Sequence, residues 1–364
     1  MIKSRIPLEK FVKEYSVRNK LNEDIPVYSV TNSQGFCTEY FSKEVASQDK
    51  TTYKIVPRGY FAYNPSRINV GSVDWQKYED RVIVSPLYNV FSVSDEIDCQ
   101  YLYYFFRSNI GRQMIKAKSS GSVRDNLKIE MLKEMTIPDI SMREQQFCSS
   151  VLDKLQILIK LKFDEIKQMD ELVKARFVEM FGDIKNEEKY SGILLGNICK
   201  TISGGTPSTK VTEYYTGDIP WISTVSLGPN HIDGKLAKGY ITSLAIKNSA
   251  TKLIPAGNIL FGTRVGVGKS SINDVEMCTN QDIVAIVDVD ECKYNKLFIK
   301  CVLDSYQAYF DSIKKGATIL GVTSDDLKDC LIPNVPINIQ NEFVVFVEQV
   351  DKSKLQVYQY MVAN

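Results

Sequence analysis

The feature that most constrains this chain is a degenerate internal repeat. The segment Ile25–Ser29 returns as Ile219–Ser223 at a spacing of 194 residues, and Gln145 returns as Gln340 at a spacing of 195. Further pairs lie at spacings of 195 to 198: Gly121 with Gly316, Leu132-Lys133 with Leu327-Lys328, Ile137-Pro138 with Ile332-Pro333, and Pro57–Phe61 with Pro255–Ile259. A nearly constant spacing over more than a hundred residues predicts one structural unit used twice, and 364 residues exceed what one core usually supports.

Each repeat opens with a mixed region of roughly 140 residues that is rich in Tyr, Val, Ile, Thr, Gly and Pro. Short apolar runs such as Arg81–Val84 and Ile283–Val287 are typical of strands. Helical patterns interrupt them at Gln100–Arg107 and Tyr294–Asp311. The pattern predicts an α+β fold with two mixed α/β domains, over residues 1–140 and 186–336.

Each repeat closes with a helix. Ser141–Glu144 reads as a capping box, and neither Gly nor Pro occurs after it until Gly182, which predicts a helix of roughly 60 Å in a spacer over 141–185. The second copy, within 337–364, should run from about Asn338 to Met361 and span roughly 36 Å. The apolar residues at close to heptad spacing are Leu152, Leu155, Ile159, Ile166, Met169, Val173 and Phe177, then Phe343, Val347, Val350 and Val357. We expect the two helices to form an antiparallel coiled coil that separates the domains.

Composition excludes several classes of enzyme. The chain has one histidine, His231, and eight cysteines without a CxxC pair, so histidine triads and Cys/His metal sites are not expected. The cysteines are best read as reduced, buried thiols. With no apolar run near the roughly 20 residues that span a bilayer and no secretion signal, we expect a cytoplasmic protein without membrane contact. A net charge of +1 implies that any nucleic-acid role uses local patches or shares phosphate contacts with a partner.

The glycine-rich segment Gly262–Ser270 looks like a nucleotide-binding loop but fails its spacing. Position 263, where the first glycine should lie, is Thr263, and residues 270–279 show no helical period. We predict instead a strand over 258–261 and a turn that carries Arg264 and Lys269. Since no catalytic constellation is visible elsewhere, the sequence argues against an enzyme.

Four stretches resemble the specificity (S) subunit of type I restriction–modification systems: Leu195–Ile198, Ile202–Ser208, Gly217–Ser223 and Ile254–Phe261. They look like the opening blocks of a target-recognition domain in that family. The first half is more divergent. Leu8–Phe11 is recognisable there, but the Gly-Gly-Thr-Pro-Ser stretch is absent.

The resemblance implies a non-catalytic subunit with two target-recognition domains, each reading half of a bipartite, asymmetric double-stranded DNA site. The helices would set the gap between the halves and dock two methyltransferase (M) subunits, to which motor-nuclease (R) subunits add. S-adenosylmethionine, ATP and Mg would bind those partners, and this chain would hold no cofactor. The short C-terminal helix departs from the family pattern and leaves the length of the coiled coil open.

Base edges are read mainly by Arg, Lys, Asn and Gln, and phosphates attract Lys, Arg and backbone amides. In the first domain, basic residues cluster between Arg107 and Lys128, which could equally be a solvated face. The candidates there are Arg58, Arg67, Lys116, Lys118, Ser120 and Arg124. In the second domain they are Gly205, Thr206, Ser208, Lys210, Arg264, Lys269, Asn280 and Gln281. The loop over 203–210 could instead be a structural turn, and Trp221 is better read as core than as a base-stacking surface.

Two other classes stay open. A nuclease or methyltransferase with very divergent motifs would cleave or methylate DNA on its own. A structural coiled-coil protein, whose domains bind protein, would lack salt-sensitive DNA affinity even with a methyltransferase present.

Overall fold

The computed structural model describes residues 4–38, 49–119, 126–182, 189–316 and 320–363. The chain divides into two compact units, unit 1 over 1–160 and unit 2 over 161–364. A single long helix, α4 (Met142–Phe181), begins in unit 1 and ends in unit 2.

Over its described residues, unit 1 has short strands and three α-helices ahead of α4. The strands are β1 (Arg5–Pro7), β2 (Val12–Glu14), β3 (Ser29–Thr31), β4 (Gly35–Cys37), β5 (Lys54–Pro57), β6 (Phe61–Tyr63), β7 (Val73–Trp75), β8 (Arg81–Val84), β9 (Asn89–Val93) and β10 (Thr136–Pro138). The helices are α1 (Cys99–Arg107), α2 (Asn109–Ser119) and α3 (Ile129–Lys133). The largest sheet has the order β2-β9-β6-β7, and β1-β10, β3-β4 and β5-β8 form separate pairs.

The core of unit 1 lies between this four-stranded sheet and α1. Antiparallel pairing places Phe61 opposite Phe91, and their rings stack with centroids 5.0 Å apart. Phe106 of α1 packs edge-on against both rings and is fully buried. Such aromatic contacts add to the burial of apolar area that holds the helix on the sheet.

Unit 2 repeats this plan, but it has two large sheets, one of five strands and one of four. Its strands are β11 (Gly192–Leu194), β12 (Lys200–Ser203), β13 (Ile219–Ile222), β14 (His231–Ile232), β15 (Gly239–Ile241), β16 (Leu253–Ile254), β17 (Ile259–Gly262), β18 (Ser270–Asn273), β19 (Met277–Thr279), β20 (Ile283–Val287) and β21 (Leu331–Pro333). Its helices are α5 (Ser243–Lys247), α6 (Lys296–Ser305), α7 (Gln307–Ile313), α8 (Ser324–Lys328) and α9 (Ile337–Ala363). The sheets have the orders β12-β20-β17-β18-β14 and β15-β13-β19-β16, and β11 pairs with β21.

A buried glutamine in the first turns of α4 and of α9 shows that the two units are structural equivalents. The Oε1 atom of Gln145 accepts from the N–H of Asp98 at 2.9 Å, and its Nε2 donates to the carbonyls of Glu96 and Ile140. Asp98 is the N-cap of α1, so this side chain ties α4 to the start of that helix.

Gln340 makes the same three bonds in unit 2. Its Oε1 accepts from the N–H of Asn295 at 2.9 Å, and its Nε2 donates to the carbonyls of Lys293 and Val335 at 2.9 and 2.7 Å. Asn295 is the N-cap of α6. The repeated glutamine of the sequence therefore fixes the same junction twice.

The long helices form as the sequence predicts. At the start of α4, the Ser141 hydroxyl accepts from the N–H of Glu144, and the Glu144 carboxylate accepts from the N–H of Ser141. This reciprocal pair confirms the capping box.

Within unit 2, α4 and α9 run antiparallel. Phe177 packs against Phe343 with centroids 5.5 Å apart, and further along Lys354 pairs with Asp170 at 2.6 Å. Residue numbers fall along α4 as they rise along α9, which defines the antiparallel direction. The predicted antiparallel pairing of the two helices is confirmed for the part of α4 that lies in unit 2. Among the described residues, no helix combines the length and apolarity needed to span a bilayer.

Candidate nucleic-acid interface

In unit 2, the glycine-containing loop over 203–210 lies directly against the segment that joins β19 to β20. The N–H of Gly204 donates to the carbonyl of Ile283 at 3.0 Å, and the N–H of Gly205 donates to that of Thr279 at 2.8 Å. A Cβ on Gly204 would lie 2.1 Å from the carbonyl oxygen of Asn280, so only glycine permits this approach.

Gly205 has a structural role in this loop. It is buried, and its carbonyl accepts from the indole Nε1 of Trp221 at 3.0 Å. Trp221 is 7% exposed, which agrees with its interpretation as core. Because Gly205 is buried, it offers DNA little surface, and the structure gives its predicted contact no support. The neighbours Thr206, Ser208 and Lys210 are exposed.

Polar side chains form a chain of contacts across this junction. The Thr206 hydroxyl is hydrogen-bonded to Oε1 of Gln281. The Asn280 amide donates to Oδ2 of Asp282 at 3.1 Å, and Oδ1 of Asp282 lies 3.7 Å from Arg264. Asn280 is 9% exposed, so its predicted contact would use the edge of a largely buried side chain. Asp282 was absent from the sequence-based candidates.

Arg264 is placed by the turn between β17 and β18. The N–H of Val267 donates to the carbonyl of Arg264 at 3.1 Å. The N–H of Gly262 donates to the carbonyl of Lys269 at 2.8 Å. The turn is followed by strand β18, whereas a nucleotide-binding loop would lead into a helix. The predicted strand and turn are therefore confirmed. Arg264 and Lys269 are both exposed.

A groove of about 650 Å³ opens beside Arg264 and adds a second cation to the site. Its lining includes Lys315, which is held there by the backbone bridge between Lys315 and Gly321. Asp326 also lines the groove, and its carboxylate accepts from the hydroxyl of Thr323, the N-cap of α8. Sequence reasoning missed Lys315 because nothing in its local context distinguishes it from other surface lysines.

The equivalent hairpin of unit 1, between β6 and β7, carries Arg67. Arg67 and its neighbour Asn69 are exposed and border a cavity of about 510 Å³. Other lining residues are Ser29, Thr31, Asn32, Asn64, Ser66, Ser72 and Tyr88. Asn32 and Tyr88 were missed by the sequence analysis, since they reach the hairpin only through the fold.

The remaining basic candidates of unit 1 are mostly paired. Arg58 pairs with Asp80 at 3.3 Å, and Lys118 pairs with Glu134. Arg107 donates to the carbonyls of Asn32 and Gly71, at 2.7 and 3.1 Å, and so braces the rim of the cavity. Lys116 is exposed on α2. The candidates Ser120 and Arg124 lie outside the described residues.

The predicted helix residues fall into two groups. Ile166, Phe177, Phe343, Val347, Val350 and Val357 are buried, and Met169 and Val173 are partly buried. Leu152, Leu155 and Ile159, in the N-terminal half of α4, are 38%, 44% and 47% exposed. Together with Val151 and Leu158 they form an exposed apolar stripe over 151–159. Large exposed apolar patches mark interaction surfaces.

The metal-ligating side chains and the cysteine thiols of the described residues bear on what chemistry the chain could carry. No group of three or more His, Cys, Asp or Glu side chains there could hold a metal ion. Burial raises the pKa of the Cys99 and Cys278 thiols to about 11, so they stay protonated at neutral pH.

Comparison with known proteins gives a consistent picture. Residues 9–169 and 187–359 each match the family model of the type I restriction modification DNA specificity domain. The chain is 31% identical over 139 residues to the type I restriction enzyme MjaIX specificity subunit of Methanocaldococcus jannaschii. It is 30% identical over 167 residues to the EcoR124I/EcoR124II specificity subunit of Escherichia coli. These alignments cover 38% and 43% of this chain, and 32% and 40% of the respective relatives.

Solved structures show the same fold. A chain from a study of complex assembly and conformational transition of the type I R-M system aligns with a TM-score of 0.62 and 14% identity, covering 99% of this chain and 93% of that one. The type I S subunit from M. genitalium aligns with a TM-score of 0.52 and 14% identity, covering 99% and 92%.

Proposed function

Because the chain belongs to the type I restriction–modification DNA specificity family, we propose that it is the non-catalytic subunit that selects the DNA sequence for such a system. The observation that carries the proposal is the duplication. Two equivalent units each present an arginine on the hairpin between equivalent strands, Arg67 in unit 1 and Arg264 in unit 2. Two readers on one chain suit a bipartite site on double-stranded DNA.

The two units differ in the groups that surround these arginines. Arg67 lies among amides and hydroxyls, including Asn64 and Asn69, whereas Arg264 lies beside Asp282 and a lysine-containing groove. Different donor and acceptor patterns read different base edges. The two halves of the site should therefore differ in sequence, which makes the whole site asymmetric. The reading units would lie within 1–140 and 186–336, with spacers over 141–185 and 337–364.

The exposed apolar stripe over 151–159 supports docking of methyltransferase subunits on the helices. Its leucines and isoleucine lie in the N-terminal half of α4. If a partner covered these side chains, the free energy of docking would become more favourable by on the order of 25 cal/mol for each Å² of apolar surface removed from water. Two methyltransferase subunits, and motor-nuclease subunits added to them, would supply S-adenosylmethionine, ATP and Mg chemistry as well as further phosphate contacts.

The DNA-reading part of this proposal is tested with the full chain and a cognate methyltransferase subunit. Arg264→Ala should weaken binding to the specific duplex more than binding to unrelated duplex, because base contacts specify and phosphate contacts position. Lys116→Ala should weaken binding to both duplexes. It should also reduce the salt dependence of the binding constant by the amount expected for about one lost phosphate contact. Equal loss on both duplexes for Arg264→Ala would remove it from the reading set.

The docking part is tested by co-purification. Leu155→Glu should reduce recovery of the methyltransferase subunit while leaving the unfolding of the isolated chain within about 0.5 kcal/mol, as expected for an exposed position. Leu236→Glu, at a residue 54% exposed in unit 2, is the matched control and should leave recovery unchanged. Undiminished recovery with Leu155→Glu would place the docking surface elsewhere.

A further inference from the structure

We propose that Arg264 and Asp282 together read one G·C base pair in the half-site bound by unit 2. In this arrangement Arg264 bonds the guanine, and Asp282 accepts from the amino group of the cytosine. The inference rests on the proposed function and adds to it the identity of one base pair and the residue that enforces it.

Asp282 is held in a fixed position, as a base-reading acceptor requires. Its backbone carbonyl accepts from both the N–H and the hydroxyl of Thr263, at 2.8 and 3.1 Å. Its Oδ2 accepts from the Asn280 amide at 3.1 Å. The side chain is mostly packed but keeps 15% of its surface exposed. The carboxylate is therefore oriented before DNA arrives, which lowers the ordering cost of binding.

Arg264 is anchored through its backbone but its guanidinium can turn. The turn fixes the residue between β17 and β18, while 54% of the side chain is exposed. The closest approach to Asp282 is 3.7 Å, well beyond the roughly 2.7–2.9 Å of a tight charge-assisted bond. An ion pair this long, with its arginine 54% exposed, contributes little to stability. The guanidinium can therefore exchange it for a base at small cost.

The chemistry of the pair matches G·C better than any other base pair. In the major groove, guanine presents two adjacent acceptors, O6 and N7, which a guanidinium binds with two parallel bonds. The paired cytosine presents the N4 amino group, a donor that suits a carboxylate. Thymine would instead direct its O4 acceptor, and a phosphate its negative charge, at Asp282. The carboxylate thus rejects wrong bases and also weakens non-specific binding.

Unit 1 shows that this pairing is particular to one half of the molecule. The cavity beside Arg67 is lined by amide, hydroxyl and apolar side chains, and no carboxylate is among its described lining residues. The carboxylate of Asp282 therefore distinguishes the proposed base-reading site of unit 2 from the equivalent site of unit 1. Changes to Arg264 or Asp282 should alter one position of one half-site and leave the other half intact.

A control pair of the same chemistry lies at the opposite end of the same strand. Lys200 pairs with Asp288 at 2.9 Å, just beyond the end of β20, whereas Asp282 directly precedes that strand. Six residues of extended chain separate the two carboxylates by roughly 20 Å. Asp288 has a φ of 57°, a conformation that asparagine tolerates well. Lys200→Ala and Asp288→Asn therefore remove the same charges from the same sheet without touching the proposed reader.

The test uses the full chain assembled with a cognate methyltransferase subunit, methylation mapping of a host genome, and binding to duplexes substituted at each position. Arg264→Ala should lower discrimination at a single G·C pair by about ten- to a hundredfold. The charge-preserving Arg264→Lys should lower it at the same pair by a smaller factor, since lysine can donate to guanine but lacks the planar fork of arginine. Asp282→Asn should lower discrimination at the same pair by a factor similar to that of Arg264→Ala and raise affinity for unrelated DNA. The two control variants should change neither quantity.

The outcomes separate the two levels of the proposal. A bipartite motif whose discrimination at every G·C pair survives both Arg264→Ala and Asp282→Asn would overturn this inference alone. Losses that spread evenly over all positions would overturn it as well. Absence of any sequence-dependent methylation or binding by the wild-type complex would instead overturn the proposed function, and this inference with it.

Discussion

Replacing the buried glutamine at the start of α9 tests whether the repeated junction stabilises each unit. Gln340 is fully buried, and Gln340→Leu would leave the Asn295 N–H and the carbonyls of Lys293 and Val335 without their partner. An unsatisfied buried group costs about 1–3 kcal/mol, and partial relaxation favours the lower end for each. We therefore expect a loss of about 3 kcal/mol in the free energy of unfolding of unit 2.

For a unit of this size, that loss corresponds to a fall in Tm of roughly 6–12 °C. Urea and thermal unfolding, followed by circular dichroism, measure it, and hydrogen exchange over α6 locates it. Gln349→Leu, at an exposed position of the same helix, is the control and should stay within about 0.5 kcal/mol. Gln145→Leu should produce the equivalent loss in unit 1. A Gln340→Leu variant as stable as the control would refute a stabilising role for this junction.

Three single contacts give further predictions. Gly204→Ala should destabilise unit 2 by more than about 2 kcal/mol in urea unfolding and abolish specific binding, because its Cβ would overlap the Asn280 carbonyl; stability close to that of the wild type would contradict the close packing of this loop. Burial raises the pKa of Asp74 above its ordinary 3.8, so the folded state binds the proton of this carboxyl more tightly than the unfolded state does. Relative to Asp74→Asn, unit 1 should therefore gain stability as pH falls through the folded pKa, and the gain should be complete below 3.8. A stability difference between the two proteins that does not change with pH would argue against this effect. Burial lowers the pKa of Lys354, but the hydrogen bonds and charges of Asp170 and Asp351 together outweigh burial and leave the pKa raised above 10.5. The roughly 1 kcal/mol lost in Lys354→Met should therefore be present below pH 10.5 and diminish as pH rises through the folded pKa, which a series of unfolding measurements from pH 8 upward would show; a pH-independent loss would contradict it.

Local and repeated signals carried the prediction of the fold. The capping box at Ser141 specifies a helix start within four residues, and the absence of Gly and Pro lets α4 continue to Phe181. The spacing of Gln145 and Gln340 reports a junction that the structure builds twice. The failed spacing at Thr263 excluded a nucleotide loop without any knowledge of the strand after it. Each of these inferences depends on neighbours close in sequence or on comparison of the chain with itself.

Non-local contacts limited the prediction of the site. Asp282 meets Arg264 because Ile283 pairs with Gly262 across two antiparallel strands, and no local pattern encodes that register. Lys118 reads as a free cation in a basic stretch, yet Glu134 lies beside it once α2 and α3 have packed. Gly205 resembles a flexible loop residue, but Trp221 of β13 donates to its carbonyl, and Ala250 and Thr251 pack against it. Partners chosen by the tertiary fold decide which candidates remain available for DNA.

The most direct test of the central claim is genome-wide methylation mapping after expression of this chain with a cognate type I methyltransferase subunit in an unmethylated host. We expect one asymmetric motif in two halves separated by a fixed gap. Exchanging residues 186–336 for those of a relative should change one half and preserve the other half and the gap. A single undivided motif, or an exchange that changes both halves, would contradict the assignment of one half-site to each unit.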